Sequence, residues 1–183
     1  MAETKDFKAL FDKLDGLLST VDLSDVTAES AGFTELPDGY YLCEVEKTEI
    51  RESKSSKMPM AAFTFKILED GYTAEVNESG ETVINNIKKT ANRKIFIYYV
   101  FKDERSVKRF ATDMLKFEGE EEGEPLLPKE AFLNADTVND ALEILTGMRI
   151  YVHVSTTVNE DDTKTTWNNL ISWKRAKALG LPC

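Results

Sequence analysis

The segment RKIFIYYVFK, residues 93–102, combines the two residue types that bind single-stranded nucleic acid. Flat aromatic rings can stack on unpaired bases, and lysine or arginine can replace the counterions of a phosphate backbone. In a β-strand successive side chains point to opposite faces, so one face would carry Ile95, Ile97, Tyr99 and Phe101, and the other Phe96, Tyr98 and Val100. Because both faces are apolar, either protein or a ligand must cover the second one.

If the isoleucines face the core, Phe96 and Tyr98 become stacking platforms with Lys94 and Lys102 beside them. Neighbouring strands and a hairpin turn add cations and one more aromatic ring. The predicted nucleic-acid site consists of Lys54, Lys57, Lys66, Arg93, Lys94, Phe96, Tyr98, Lys102, Arg149 and Tyr151. The alternative is that Phe96 and Tyr98 lie under the N-terminal helix. Three further bases, Arg105, Lys108 and Arg109, are interpreted as a solvated helix face.

An enzymatic pattern is also present. Pro37 and Asp38, followed by Glu52, Ser53 and Lys54, have the order of PD-(D/E)xK nucleases, in which carboxylates hold magnesium and the lysine orients a water. Turns are rich in Pro and Asp, and hairpin loops in Lys, so the nuclease is kept as the second alternative.

Other catalytic signals are missing from the sequence. His153 is the only histidine, so one chain offers no histidine pair for a metal ion or a proton relay. The sequence has no Gly-rich phosphate loop and no nucleophile motif. We therefore predict a protein that is not an enzyme, with no catalytic residues, no metal and no cofactor.

The elements that must position the aromatic segment follow from period-two alternation. Strands are predicted over residues 40–52 and 58–68, joined as a hairpin across SKSSK. Residues 69–92 form an excursion with a small hairpin at NESG, and the aromatic segment is the third strand. Two more strands are predicted over 148–158 and 164–176.

Helical spacing predicts the remaining elements. A helix over 103–117 begins with Asp103 as its N-cap, and a short helix covers 137–147. At the N-terminus an amphipathic helix carries Phe7, Leu10, Phe11, Leu14, Leu17 and Leu18. We expect this helix to pack on the domain or on another subunit.

The order of three strands, a helix and two strands is that of the five-stranded OB barrel, which binds oligonucleotides across strands two and three. The predicted fold class is mainly β with helices (α+β), an OB-like barrel. Residues 1–34 form the N-terminal helix and linker. Residues 35–177 form the OB-like domain with insertions at 69–92 and 118–147, and 178–183 form a short tail.

The net charge of −10 argues against a polyanionic partner, but the charge is segregated. Residues 88–109 carry eight bases and two acids, a local charge of +6, whereas residues 118–147 carry one base and nine acids. The acidic run from Glu118 to Glu124 is interpreted in three ways: a solvated loop, a shield that competes with DNA for the basic face, or a site that recruits a basic partner.

The segment LPDGYYLCEVEKTEIRESKSSKMPMAAFTFKIL, with the later RKIF and WNNLISW, resembles phage-encoded single-stranded DNA-binding proteins of replication and recombination modules. The resemblance covers roughly residues 35–102 and, more weakly, 148–175. It implies an OB-type fold, single-stranded DNA as partner and a role in protecting or presenting DNA. Such proteins often end in an acidic tail that recruits partners, whereas this chain ends in SWKRAKALGLPC.

The remaining expectations concern partners and location. The N-terminus has no apolar leader and no segment is long enough to span a bilayer, so we expect a cytoplasmic protein, in the host cell if phage-encoded. Two cysteines, Cys43 and Cys183, form neither a disulfide framework nor a zinc site. Expected partners are single-stranded DNA, a second copy through the N-terminal helix, and replication or recombination proteins through the acidic insert. The first alternative is a protein-interaction or virion component that uses the same sheet.

Overall fold

The computed structural model describes residues 11–12, 14–16, 18–19, 35–119 and 122–183. The chain divides into two compact units, residues 1–35 and 36–183. In the first unit, residues 11–12, 14–16 and 18 are helical, as the apolar spacing predicts. Its Phe11, Leu14 and Leu18 are exposed, whereas Phe7, Leu10 and Leu17 lie outside the described residues.

The second unit is built on an antiparallel sheet that has seven strands within the described residues. In chain order the strands are β1 (Gly39–Glu52), β2 (Pro59–Ile67), β3 (Gly71–Val76), β4 (Thr82–Ile87), β5 (Lys94–Val100), β6 (Arg149–Val158) and β7 (Lys164–Ile171). The spatial order is β4-β3-β1-β2-β5, and β6 pairs with both β1 and β7. The five predicted strands are all present, and the excursion at 69–92 forms the hairpin of β3 and β4.

The long strand β1 organises this sheet because its two halves pair with different partners. Its first half, from Gly39 to Glu44, lies against β6, and the half from Cys43 to Glu52 lies against β2. The α+β class is therefore confirmed. The predicted five-stranded barrel is not, because the sheet has two more strands and is open: no ladder joins β5 to β7 among the residues described.

Side chains bridge the gap between β5 and β7 instead. The Asn168 side chain on β7 donates to the Phe96 carbonyl on β5 at 3.4 Å. Lys116 donates to the Leu170 carbonyl at 2.9 Å and to Asp113 at 2.6 Å. The hydroxyl of Tyr99 on β5 completes this network by donating to Asp113 at 2.9 Å.

The helices follow their capping residues. Helix α1 (Glu104–Met114) begins after Asp103, whose carboxylate accepts from the Ser106 N–H at 2.8 Å, as predicted. A short 3-10 helix (Lys129–Phe132) precedes helix α2 (Ala135–Leu145). Helix α3 (Trp173–Leu179) occupies the end of the segment that we predicted as strand 164–176, so that prediction is wrong beyond Ile171.

Two groups of buried side chains hold the unit together. The larger lies between the inner faces of β1, β2, β5 and β6 and the helices α1 and α2, and its aromatic members include Phe63, Tyr99 and Phe110 in edge-to-face contact. The smaller is formed by Tyr72, Tyr151, Ala176 and Leu181, beneath α3. No described helix is long and apolar enough to cross a membrane.

Candidate nucleic-acid interface

Strand β5 separates its side chains by face as its sequence predicts. Ile95, Ile97 and Tyr99 are buried, whereas Phe96 is 49% exposed and Tyr98 is 51% exposed. The inward side chains are held by apolar contacts in the larger core group. The two outward rings are therefore presented two residues apart on one surface of the sheet.

The strand register places a defined set of neighbours beside these rings. Thr64 of β2 lies opposite Phe96 and Ala62 lies opposite Tyr98. On β1, Lys47 lies opposite Thr64 and Glu49 opposite Ala62. A surface depression of about 300 Å³ is lined by Lys47, Glu49, Arg51, Ala62, Thr64, Phe96 and Tyr98. We call this set of residues the aromatic depression.

The prediction missed Lys47, Glu49 and Arg51, because a β-bulge changes the parity of β1. The register of β1 against β2 shifts between Val45 and Lys47. Before the shift the odd residues face the core; after it the odd residues face outward, because a bulge adds one unpaired residue. A sequence signal existed: Val45 and Ile50 are both apolar but five positions apart, which a strict period of two cannot place on one face.

Several predicted cations lie on the outer face or at its margin. Lys66 and Lys94 lie opposite each other on β2 and β5, and Arg149 of β6 lies opposite Glu44. Lys102 is exposed just after β5, and Arg93 is half-buried just before it.

The predicted Lys54 and Lys57 occupy the turn between β1 and β2, and both are exposed. Lys57 has a positive φ of 59°, and its ammonium lies 3.6 Å from the Glu52 carboxylate. The turn therefore presents two lysines at one end of the sheet, one of them in an ion pair.

Carboxylates share this face with the cations. Glu49 binds Lys47 at 3.0 Å and Arg51 at 3.2 Å, and Glu46 binds Lys94 at 2.6 Å. The hydrogen bond from Lys47 lowers the pKa of Glu49 from its ordinary value, which keeps this carboxylate ionised at neutral pH. The guanidinium of Arg51 lies 5.8 Å from the centre of the Tyr98 ring, a cation–π distance. Three cations of this face, Lys47, Arg51 and Lys94, are thus held in place by carboxylate partners.

Tyr151 does not belong to this interface, contrary to the prediction. Its side chain is 0% exposed, and its hydroxyl donates to the Pro182 carbonyl at 2.6 Å. Trp173 packs against the Tyr151 ring edge-to-face with 5.7 Å between the ring centres. Helix α3, which was predicted as strand, covers this part of β6 and removes the ring from the surface.

The geometry does not assemble the nuclease pattern. Asp38 precedes β1 and Glu52 ends it, which separates them by roughly 46 Å along an extended strand. The Pro37 carbonyl accepts a hydrogen bond from Tyr41 at 2.6 Å, a structural role. Among the described residues, no group of three or more His, Cys, Asp or Glu side chains could hold a metal ion.

The described part of the acidic run contacts the C-terminal helix. Glu122 forms an ion pair with Lys177 of α3, and the Glu118 carboxylate accepts from the Gly123 N–H at 2.9 Å. Glu120 and Glu121 lie outside the described residues. Glu122 thus has a structural partner on α3 and Glu118 one within its own loop, and neither lines the aromatic depression.

Residues 19–101 match a protein family described as protein of unknown function (DUF669). The matched span contains β1 to β5, and hence every residue that lines the aromatic depression, but ends before α1, β6, β7 and α3. The chain is therefore similar to this family over the part that carries the candidate interface. No curated protein matches the chain.

Proposed function

We propose that this chain binds single-stranded DNA without catalysis, through the outer face of β1, β2 and β5. The observation that carries the proposal is the pair of exposed rings, Phe96 and Tyr98, on a strand whose intervening residues are buried. Single exposed apolar side chains are common on protein surfaces. Two aromatic rings on one strand face, beside cations and a depression, are what stacking on bases requires.

The spacing of the rings favours single strands over duplex. Side chains two residues apart on a strand are separated by roughly 6.6 Å. Bases in a duplex lie face to face with one another, so their flat surfaces are closed to a protein ring. A single strand can unstack and place successive bases on Phe96 and Tyr98, and every base has a face that stacks.

The cations supply the phosphate contacts in this proposal. Lys94 is already ordered by its Glu46 partner, which a phosphate would replace, and Lys47 and Arg51 are ordered by Glu49 at the depression. Each such contact releases counterions, so affinity should fall with salt concentration. Because binding must also break existing ion pairs, we expect moderate affinity that is most evident at low ionic strength.

We further propose that β1, β2, β5, β6 and β7 correspond to the strands of an OB-type domain, with β3 and β4 as an inserted hairpin. Four pairings support this: β1 with β2, β2 with β5, β1 with β6, and β6 with β7. OB domains are partly open barrels, and the side-chain bridges from Asn168 and Lys116 lie where such a barrel would close. On this basis we propose a role like that of phage single-stranded DNA-binding proteins in replication or recombination.

The experiment is a salt titration of binding, measured by fluorescence anisotropy with a labelled single strand and the matching duplex, in buffer with a metal chelator. We expect the single strand to bind more tightly than the duplex. Lys94→Gln should weaken binding and flatten the log–log salt slope by about 0.7. The control is Lys177→Gln, which also removes a paired lysine but at α3, and should leave the slope unchanged. Absence of single-strand binding at low salt would refute the proposal.

A specific observation favours a second candidate, a protein-interaction or virion component that uses the same sheet. Glu44, Glu46 and Glu49 lie among the cations, and carboxylates repel a polyanion. If no oligonucleotide binds and Phe96→Ala disrupts a protein complex, this candidate replaces the first. Pairing of copies through the N-terminal helix and recruitment of partners by the acidic insert also stay proposals.

A further inference from the structure

The aromatic depression has a floor and two unlike walls. Tyr98, Ala62 and Glu49 form one cross-strand row, and the neighbouring strands are about 4.8 Å apart. Because Ala62 contributes only a methyl group, the space above it is bordered by the Tyr98 ring, the Glu49 carboxylate and the Arg51 guanidinium, which lies 5.8 Å from the centre of that ring. Its volume of about 300 Å³ is at the lower end of small-ligand sites, which span roughly 300–1,000 Å³.

The Glu49 wall presents a fixed pattern of hydrogen-bonding groups. One carboxylate oxygen accepts from the Lys47 ammonium at 3.0 Å, and the other accepts from the Arg51 guanidinium at 3.2 Å. The carboxylate is thus held from both sides, yet its side chain remains 36% exposed. Across this wall the order of groups is donor, acceptor, acceptor, donor. Each carboxylate oxygen has a second lone pair for a ligand.

We propose that the aromatic depression selects guanine, with the base stacked on Tyr98 and its N1–H and N2–H₂ groups donating to Glu49. This inference rests on the proposed single-strand binding. Along its Watson–Crick edge guanine has one acceptor, O6, followed by two donors, N1–H and N2–H₂. The two donors use both carboxylate oxygens of Glu49, and Lys47 or Arg51 donates to O6. Thymine offers one donor between two carbonyls, and adenine and cytosine each offer one donor group beside an acceptor. Those three bases leave a carboxylate oxygen unmatched or facing an acceptor.

Three labelled oligonucleotides of equal length test the inference with the full chain. One is oligo-dT, the second has deoxyguanosine at every third position, and the third has deoxyinosine at those positions. Inosine keeps O6 and N1–H but lacks the N2 amino group. We expect the guanine strand to bind at least about fivefold more tightly than oligo-dT, the lower end of bidentate base discrimination, with the inosine strand between them.

Two variants identify the residue that discriminates. Glu49→Gln should remove the preference for guanine over inosine while binding of oligo-dT stays the same or tightens, because a negative charge is lost. Glu46→Gln is the matched control, since it removes the same charge from the same surface outside the depression, and should retain the preference.

Each outcome separates this inference from the proposed function. If all three strands bind equally, or if oligo-dT binds more tightly than the guanine strand, the guanine inference is wrong while single-strand binding stands. If Glu49→Gln keeps the guanine preference, Glu49 is not the discriminating group and the inference is also overturned. If no strand binds at low salt, the proposed function itself fails.

Discussion

Replacing two adjacent residues of β5 by alanine should have opposite consequences. Phe96 is 49% exposed and Ile97 is 6% exposed, so one side chain faces the aromatic depression and the other faces the core. Phe96→Ala should weaken oligonucleotide binding and spare the fold. Ile97→Ala should weaken the fold and leave the affinity of the folded protein unchanged.

The magnitudes follow from burial. Ile97→Ala empties volume in the larger core group and should reduce the free energy of unfolding by about 2–5 kcal/mol, which lowers the melting temperature by roughly 4–20 °C. Phe96→Ala removes only the contacts of the buried half of the ring, which should reduce the free energy of unfolding by about 1.5 kcal/mol at most. Loss of one stacking ring should cost binding about 1–3 kcal/mol, or roughly 5- to 150-fold in the dissociation constant.

Both quantities can be measured on the same samples, by thermal unfolding followed by circular dichroism and by fluorescence anisotropy with a labelled single strand. Tyr98→Ala should behave like Phe96→Ala, and neither should change the salt slope, because stacking releases few counterions. If Phe96→Ala lowers the melting temperature as much as Ile97→Ala does and affinity persists, the ring is structural. Protein then covers the second face of β5, and the stacking argument is refuted.

Three further predictions concern stability, each measured by thermal unfolding. Lys116→Met removes the bond by which the segment after α1 holds the Leu170 carbonyl of β7, and should reduce the free energy of unfolding by about 1–3 kcal/mol. Gly71→Ala should destabilise by at least about 1 kcal/mol, because a Cβ there would lie 2.3 Å from the Tyr41 ring. Burial lowers the folded-state pKa of His153 below its ordinary 6.5. The contribution of the neutral imidazole to the free energy of unfolding is therefore complete above pH 6.5 and is lost as pH falls toward the folded-state pKa. His153→Gln should therefore reduce the loss of melting temperature between pH 7.5 and 5.5.

The face assignment of β5 could be predicted from sequence because both faces leave a periodic signal. Isoleucine alternates with aromatic residues between flanking lysines, and Ile95 and Ile97 are buried as expected. Strands β2 and β6 and the first half of β1 were predictable for the same reason, since each has an inward face of apolar residues at period two. Whether the outer rings of β5 meet a base or a protein is a property of the partner, so sequence alone left both alternatives.

The aromatic depression was harder to predict because it depends on register. Glu49 meets Ala62 only because a bulge between Val45 and Lys47 reverses the parity of β1. A β-bulge has no characteristic amino-acid composition. Its sign in this sequence is the odd spacing of the apolar residues Val45 and Ile50. If a period of two is extended through the whole strand, Lys47 is predicted to face the core, and the wall of the aromatic depression is not predicted.

Tyr151 was predicted to belong to the site because helix α3, which covers it, was not predicted. Ser172 caps α3 by accepting from the Arg175 N–H, and Gly180 ends it in the left-handed region with a φ of 80°. Both residues are typical helix boundaries, but seven residues are too few for an apolar period to stand out. Without that helix nothing indicated that Tyr151 would be covered.

The contacts at the gap between β5 and β7 explain why binding and stability should separate along a single strand. The inward side chain of Tyr99 bonds to Asp113, which holds Lys116 against the Leu170 carbonyl. On the outward residue Phe96, it is the backbone carbonyl, not the ring, that accepts from Asn168. Truncating the Phe96 ring leaves this carbonyl in place, so every bridge across the gap survives the substitution. The outer face of β5 can therefore change its ligand-binding side chains while its inner face and its backbone keep the sheet together.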